Sequence, residues 1–410
     1  MRTWESLTKA EQAVYVRTVC RTHERRITLL IQTLAGKQYA SFTEHYLGGS
    51  READASRTPA EILNVRVYDP DGLLDWQAGE HYGYRARVID ARFVPGIGDG
   101  EWVETVCFTG PLWDVERSGP EASLVAHSME RAAMGTVRST IQQPRKTRVT
   151  KVIRLLLAAA GAKEEDLLIP GLKATLPENL TVRKVVKGKK GKKENKAKGP
   201  RVFRATASDS YYPPARRLAA ALNRQLLATR HGKFQLRRWP TAKNATVRLD
   251  ESNILEPVKF KRAGRDDLKN RFTVVGRDPK GKKKPPRASR AIPNWHPLSP
   301  EKMGWNGKPK NLEQVEQLNH VRTGKQAAAV ARRKADAAMR SSVGVEVSAL
   351  PVCPWILPGD MVTVRDPATG ITKTIRARQF TYPLTPGSAD PLTIGVSISE
   401  TVSKPKKQAA

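Results

Sequence analysis

The chain has few cysteines and no long apolar stretch. Its three cysteines, Cys20, Cys107 and Cys353, lie far apart without any Cys-x-x-Cys spacing, so neither a disulfide framework nor a zinc site is indicated. No run of about 18 apolar residues occurs, so no segment is expected to span a membrane. The N-terminus also lacks the apolar core of a signal peptide. We therefore predict structural roles for the three cysteines and no membrane insertion by this chain.

Recognisable catalytic motifs are missing as well. The sequence contains no His-Glu-x-x-His of metalloproteases, no phosphate-binding Gly-Lys loop and no Gly-x-Ser-x-Gly nucleophile elbow. Its seven histidines are scattered, and His127 is interpreted as an ordinary strand residue. The acidic triple Glu164-Glu165-Asp166 follows a predicted helix and is typical of a solvated linker. We predict that the protein is not an enzyme, with no catalytic, cofactor-binding or metal-binding residues and no cofactor.

One acidic segment, Asp69-Pro70-Asp71-Gly72 with Asp75 nearby, has some features of a calcium loop. Its glycine comes too early for an EF-hand, and the distal glutamate is missing. Asp-Pro and Asp-Gly pairs are strong turn signals between strands. The segment is therefore predicted to be a turn.

Negative charge is scarce relative to positive charge. The 72 Lys and Arg residues outnumber the 40 Asp and Glu residues, for a formal net charge of +32. Such an excess favours contact with a polyanion, with nucleic acid as the default. Much of it lies in two aperiodic runs, 183–201 and 277–290, which are predicted to be flexible basic loops. They either neutralise passing DNA, contact an acidic neighbouring protein or remain solvated.

Hydrophobic periodicity predicts mainly strands, with a few helices between them. Alternation at Ile27, Leu29 and Ile31 opens a region of predicted strands, and Leu392 to Ile398 alternate strictly near the end. Further strands are predicted at 62–68, 84–89, 102–108 (ending at Thr109-Gly110-Pro111), 124–127, 234–239, 272–275 and 362–364.

Three helices are predicted after the N-terminal segment. The first has one apolar face from Val149 to Ala160 and stops at Gly161. The second begins near Pro213-Pro214, continues through Leu218, Leu222 and Leu226, and ends at His231-Gly232. The third opens at a capping box formed by Asn311 and Gln314 and continues to Ala338.

A chain of 410 residues suits two to four domains. We predict an N-terminal helix or arm (1–25), a first β-barrel-like domain (26–145), a helix plus basic loop (146–205), a second β-rich domain (206–276 and 341–402), a basic insertion with a long Ala-rich helix (277–340) and a basic tail (403–410).

Several segments, in order along the chain, resemble the hub proteins of phage tails, a family that includes siphophage minor tail proteins, baseplate hubs and late control D-like proteins. They are Tyr68-Asp69-Pro70-Asp71-Gly72-Leu73-Leu74-Asp75-Trp76, Tyr84-Arg85-Ala86-Arg87-Val88, Glu101-Trp102-Val103 with Val106-Cys107-Phe108-Thr109-Gly110-Pro111, Ser123-Leu124-Val125-Ala126-His127, Ala219 to Gly232 with Phe234-Gln235-Leu236, Asp266-Asp267-Leu268-Lys269-Asn270-Arg271-Phe272-Thr273-Val274-Val275-Gly276, and the Ala-rich helix with Leu357-Pro358-Gly359-Asp360-Met361-Val362. The two basic insertions depart from the family pattern.

The resemblance implies a mainly β, α+β fold with two β-barrel-like hub domains that carry helical and basic-loop insertions. It implies a homotrimeric ring in the virion that closes the distal end of the tail tube, after synthesis in the host cytoplasm. Expected partners are further copies of the chain, the distal tail or tail tube protein, the tape measure protein and the tip or fibre proteins, with transient contact to genomic DNA.

Some relatives carry a wall-degrading module after this region, and none is expected here because the chain ends soon after the last strand. Two other function classes remain open. One is a basic nucleic-acid-binding protein that acts in DNA packaging or ejection. The other is a cell-wall hydrolase, since paired acids that cleave sugars leave no local signature.

Overall fold

The computed structural model of the protein describes residues 2–19, 24–77, 79–177, 180–183, 201–206, 209–245, 247–262, 269–276, 285–296, 298–304, 306–318, 321, 323–341, 343–386 and 392–398. The chain divides into two compact units. Unit 1 comprises Met1–Pro257 and Ser348–Ile394, and unit 2 comprises Val258–Val347 and Gly395–Ala410. Most of the basic run 183–201, the residues 277–284 and the tail 403–410 lie outside the described residues.

Strands dominate the secondary structure. The helices in the described ranges are α1 (Lys9–Val19), α2 (Val149–Ala159), α3 (Tyr212–Ala221) and α4 (Gly324–Ser341). The strands are β1 (Arg2–Thr3), β2 (Arg25–Thr33), β3 (Gln38–Phe42), β4 (Tyr46–Asp54), β5 (Glu61–Tyr68), β6 (Tyr84–Val94), β7 (Glu101–Ser118), β8 (Glu121–His127), β9 (Ile141–Pro144), β10 (Leu167–Leu168), β11 (Val182–Arg183), β12 (Arg201–Ala205), β13 (Arg224–Ala228), β14 (Phe234–Arg238), β15 (Val247–Leu249), β16 (Lys259–Arg262), β17 (Arg271–Gly276), β18 (Arg287–Ala291), β19 (Glu313–Leu318), β20 (Val343–Ala349), β21 (Met361–Asp366), β22 (Ile371–Arg376), β23 (Gln379–Pro383) and β24 (Leu392–Ile398). The mainly β class is confirmed, whereas closure into two barrels stays a prediction.

The largest sheet of unit 1 has the strand order β23-β4-β5-β8-β7-β6-β2-β3. Neighbouring strands along this path are antiparallel, and β1 adds to β7 in parallel. Ile27, Leu29 and Ile31 are buried, as their alternation predicts. The segments predicted at 62–68 and 124–127 form most of β5 and β8, which pair with each other.

Strand β7 is longer than predicted. It continues for seven residues beyond Pro111, and its first part pairs with β6 while its second part pairs with β8. A register shift between Leu112 and Asp114 marks the change of partner. Bulges of this kind bend a strand without ending it. Gly110 suits the site because a Cβ there would collide with the carbonyl oxygen of His127, so Gly110-Pro111 marks a bend instead of the predicted stop.

Unit 1 also contains a layer of helices and short sheets. In this layer α2 packs against α3 around Val152, Leu156, Tyr212 and Leu218, all buried. The short sheets have the orders β10-β14-β13, β11-β12-β9 and β15-β21-β22. The prediction of α2 is confirmed to within a residue, and Gly161 follows it with a φ of 100°. This conformation is one that glycine adopts without strain.

The second predicted helix is shorter than expected. Helix α3 ends at Ala221, and Asn223 then takes a φ of 55° in a turn. Residues Arg224–Ala228 form β13, which pairs with β14. Leu226 therefore lies in a strand and not on the helix face, because its hairpin partner β14 outweighs the four-residue spacing of leucines.

Unit 2 contains a three-stranded sheet with the order β18-β17-β19 and helix α4. Buried Ala327 and Ala331 pack with Val274 in one cluster, and Ala335 packs with Phe272 in another. Two predictions were wrong here. Residues Glu313–Leu318 form β19 beside β17, so the helix begins at Gly324 and not at Asn311. Residues Arg287–Ala291 pair with β17 as β18, although all but the last of them belong to the run 277–290 that was predicted to be a loop.

Candidate functional site

The residues that were considered as candidate sites in the sequence have ordinary structural surroundings. Buried Asp69 accepts backbone N–H bonds from Leu73 and Leu74 at 2.9 Å each, which confirms the predicted turn. Cys107 and Cys353 are both buried. His127 lies at the end of β8, with its ring edge-on to Trp113. Cys20 lies outside the described residues.

Glu164–Asp166 form a short 3-10 turn after α2. Within the described ranges, no group of three or more His, Cys, Asp or Glu residues is placed to hold a metal ion. Among the helices that the structure describes, none has the length and apolar character needed to cross a bilayer.

The C-terminal part of unit 1 is attached to the large sheet through buried arginines. Arg51 in β4 is fully buried and donates to the carbonyl oxygen of Ile356 at 2.9 Å and to that of Cys107. Its guanidinium also lies 5.1 Å from the centre of the Phe380 ring. Each of these groups belongs to a segment distant in the chain, so one cation holds several segments together.

A second buried cluster centres on Asp90 in β6. Arg25 donates to Asp90 Oδ2 at 2.8 Å, Arg92 donates to Oδ1 at 2.7 Å, and the Tyr382 hydroxyl donates to Oδ2 at 2.8 Å. The two arginines also donate to the carbonyl oxygens of Pro383 and Pro351. Burial alone would raise the pKa of Asp90, but Arg25 and Arg92 lower it to about 2.

Glu130 connects the sheet to the helical layer. It is buried, and its carboxylate accepts bonds from the Ala60 and Ala228 amides and from the Ser128 and Tyr212 hydroxyls. These donors come from both layers of unit 1. Neighbouring Glu61 is also buried, and its Oε1 has no hydrogen-bond partner. Burial raises the pKa of Glu61 to about 7, because a charged carboxylate is poorly solvated there.

The N-terminal segment covers part of this assembly. The Trp4 ring stacks on Trp355 with 4.4 Å between ring centres, and Tyr15 packs beside both. Glu5 pairs with Arg230 at 2.6 Å. The first residues therefore pack against the loop 351–358, which leads into the last segment of the sequence resemblance, 357–362.

These buried groups were missed in the sequence. A charged residue at an inward position of an alternating strand is the one signal that could have found them, and Asp90 occupies such a position after Ala86 and Val88. Together the groups form rigid internal connections. Within these connections, the carboxylates of Asp90 and Glu130 are engaged by arginines or by several hydrogen-bond donors.

Charge is unevenly distributed along the chain. Residues 1–130 contain 14 Lys and Arg against 19 Asp and Glu, whereas residues 131–410 contain 58 against 21. The N-terminal third is therefore slightly acidic, and 58 of the 72 Lys and Arg residues follow it.

No protein-family model and no curated protein sequence matches this chain. Solved structures do match it. The 43 kDa tail protein of prophage MuSo2 from Shewanella oneidensis is 13% identical, with a TM-score of 0.57 over 90% of this chain and 98% of that chain. The tail protein from Neisseria meningitidis MC58 is 10% identical, with a TM-score of 0.55 over 90% and 96%.

A third match is a chain of the lidless PdpA-VgrG complex. It is 8% identical, with a TM-score of 0.50 over 92% of this chain and 65% of that chain. The structural neighbours are thus phage tail proteins and a chain of a VgrG complex, in agreement with the hub resemblance in the sequence. At these identities the likeness concerns the fold, and the fold is that of phage tail proteins.

Proposed function

We propose that the protein is a non-enzymatic structural component of a phage tail tip. In this proposal three copies form a hub ring that closes the distal end of the tail tube. The ring joins the tube or distal tail protein to the tip or fibre proteins, and the tape measure protein ends against it. The protein acts in the virion after assembly in the host cytoplasm.

The observation that carries the proposal is the extent of the shared fold. The likeness covers nine tenths of this chain and almost the full length of two tail proteins, so it is not limited to one common motif. The buried connections of unit 1 support it, because Arg51, Asp90 and Glu130 each join segments that are distant in the chain. A ring that transmits load needs this kind of internal rigidity.

The experiment is averaging of intact tail particles by electron cryomicroscopy, beside light scattering of the purified chain. We expect threefold symmetry at this protein, since closed rings form by cyclic symmetry. A single copy per particle, or a sixfold ring at this position, would contradict the hub proposal.

Contact with nucleic acid is the second candidate, favoured by the concentration of positive charge after residue 130. The register places Arg183 of β11 opposite Arg201 of β12, and the amide of Arg145 donates to the Arg201 carbonyl oxygen at 3.1 Å. In the sequence, Arg183 and Arg201 therefore flank the lysine-rich run 184–200. In the hub proposal such contact is weak and non-specific. Tight, sequence-selective binding of duplex DNA by the isolated chain would favour the second candidate.

A further inference from the structure

Unit 1 has a surface groove with an apolar floor. A cavity of about 420 Å³ lies between β7, the end of α2 and the turn before β14. Three large apolar side chains in its lining remain exposed: Leu34 at 50%, Tyr82 at 53% and Trp113 at 38%. Exposed apolar residues are common singly, but several around one concavity mark a binding surface.

The rim of this groove is cationic. Arg85, Arg131 and Lys163 line it together with one acid, Asp166. The Arg131 guanidinium lies 3.8 Å from the centre of the Trp113 ring, which fixes the positive charge directly beside the apolar floor. The groove therefore fits an apolar side chain that has carboxylates on both sides.

The chain carries a segment of this chemistry, the turn after β5. Leu73 is 42% exposed and lies between Asp71 and Asp75, which are both exposed. Asp75 Oδ1 lies 3.8 Å from Arg117 Nη1, and the Asp75 side chain remains 80% exposed. Apolar and acidic groups are thus displayed together on one loop.

The same turn is held rigidly. Buried Asp69 bonds the amides of Leu73 and Leu74, and the Tyr39 hydroxyl donates to the Leu73 carbonyl oxygen at 3.0 Å. Leu74 points inward and is 2% exposed. A loop ordered before binding loses little conformational entropy when it docks.

We propose that the turn 69–75 of one copy docks into this groove of the next copy, with Leu73 on the apolar floor and the two aspartates facing the cationic rim. The inference rests on the hub proposal, because a ring needs a contact between two different surfaces of the same chain. The local charges agree with it, since Asp71 and Asp75 are exposed on the turn. Arg85, Arg131 and Lys163 line the groove.

Charge reversal in the purified full-length chain tests the contact. We expect Asp71→Lys with Asp75→Lys to weaken self-association in sedimentation velocity by about tenfold or more, because like charges then meet across the interface. Arg131→Glu with Lys163→Glu should weaken it similarly. All four changes in one chain should restore association, because the two reversed surfaces are again complementary. Glu44→Lys with Glu52→Lys makes the same change in net charge as the Asp71 and Asp75 pair, at exposed positions elsewhere, and should have no effect.

The apolar part of the contact is tested by a variant and a matched control. Leu73→Ser should weaken association by about tenfold, whereas Leu47→Ser, at a leucine of 39% exposure in β4, should leave it unchanged. These positions are exposed, and circular dichroism will verify that each variant is folded.

The outcomes separate this inference from the hub proposal. If the ring in the tail still assembles with every one of these variants, the docking contact is wrong and the hub proposal stands. The same follows from a fourfold variant that stays dissociated, or from a native chain that remains monomeric at its highest soluble concentration. A fluorescent single-stranded oligonucleotide that loses binding only in the Arg131 and Lys163 variant, with self-association unchanged, assigns the groove to nucleic acid instead. A single copy in the intact tail overturns the hub proposal itself.

Discussion

Asp90→Asn tests the buried cluster that holds the C-terminal segments on the large sheet. The side chain of Asp90 is fully buried, and those of Arg25 and Arg92 are 4% and 5% exposed. Asparagine keeps the shape of the side chain but removes the negative charge that both guanidinium groups share. We expect the variant to be clearly destabilised, because two positive charges then remain in a dry environment without a counter-ion.

The expected loss in the free energy of unfolding can be worked out in two ways. Lowering the pKa of Asp90 from 3.8 to about 2 corresponds to about 2.5 kcal/mol of stability at neutral pH, from about 1.36 kcal/mol per pKa unit. The amide also turns an N–H donor toward groups that are themselves donors, so the substitution costs more than protonation does. Removing one partner of a buried ion pair costs about 3–5 kcal/mol, and we expect a loss in this range.

The assay is urea unfolding followed by tryptophan fluorescence, with Asp99→Asn as an exposed control that should change the free energy of unfolding by less than about 0.5 kcal/mol. The pH dependence gives a second readout. Because the folded pKa is depressed, this stabilisation is present above pH 4 and is lost as the pH falls toward 2, and the variant should lack that loss. Equal midpoints for Asp90→Asn and Asp99→Asn would refute the reasoning.

Three further predictions concern Glu61, the basic run and catalysis. Glu61→Gln should remove a pH-dependent loss of stability: the folded pKa of about 7 lies above the ordinary value, so the wild type loses about 3 kcal/mol as the pH rises from about 4.5 to 7. Urea midpoints at pH 5 and pH 8 measure it. Deleting 184–198 should reduce binding to duplex DNA and leave the thermal midpoint unchanged, because two residues remain between β11 and β12 and can close a hairpin. Filter binding against salt checks the first part and calorimetry the second. The purified chain should not clear host peptidoglycan in zymograms run beside a known lysin.

Each of these has a matched control and a contradicting result. Glu52→Gln is an exposed counterpart of Glu61→Gln, and equal pH profiles for the two would argue against a raised pKa. Changing the lysines of 184–198 to glutamine keeps the length and removes the charge, so DNA binding should fall as in the deletion. A deletion variant that unfolds would make the run structural. Clearing that disappears on mutation of one acidic residue would favour the hydrolase class.

Several elements could be predicted from local sequence because their pattern and their burial coincide. The alternation around Ile27 and the apolar face from Val149 to Ala160 both report directly which side chains face the core. The turn at Asp69 was equally visible, since Asp-Pro and Asp-Gly pairs favour turns whatever surrounds them.

Other elements depended on partners that local pattern does not reveal. Leu226 continues a helical spacing, yet it lies in β13 because β14 offers a hairpin partner. Residues Glu313–Leu318 have polar, helix-favouring side chains, yet they pair in parallel with β17. Gly110-Pro111 predicts the end of a strand, yet β7 continues beyond Pro111 and changes its pairing partner there.

By itself, the sequence determined the mainly β class, the absence of familiar catalytic motifs and the excess of positive charge. It also determined the segments that, in their order along the chain, resemble a tail hub. These properties are local or additive along the chain. Tertiary structure alone decided that Asp90 meets Tyr382, that Arg51 meets Ile356, and that Leu34, Tyr82 and Trp113 line one groove. Such groupings join residues far apart in the chain, and they exist only after folding has covered the cost of closing the long loops between them.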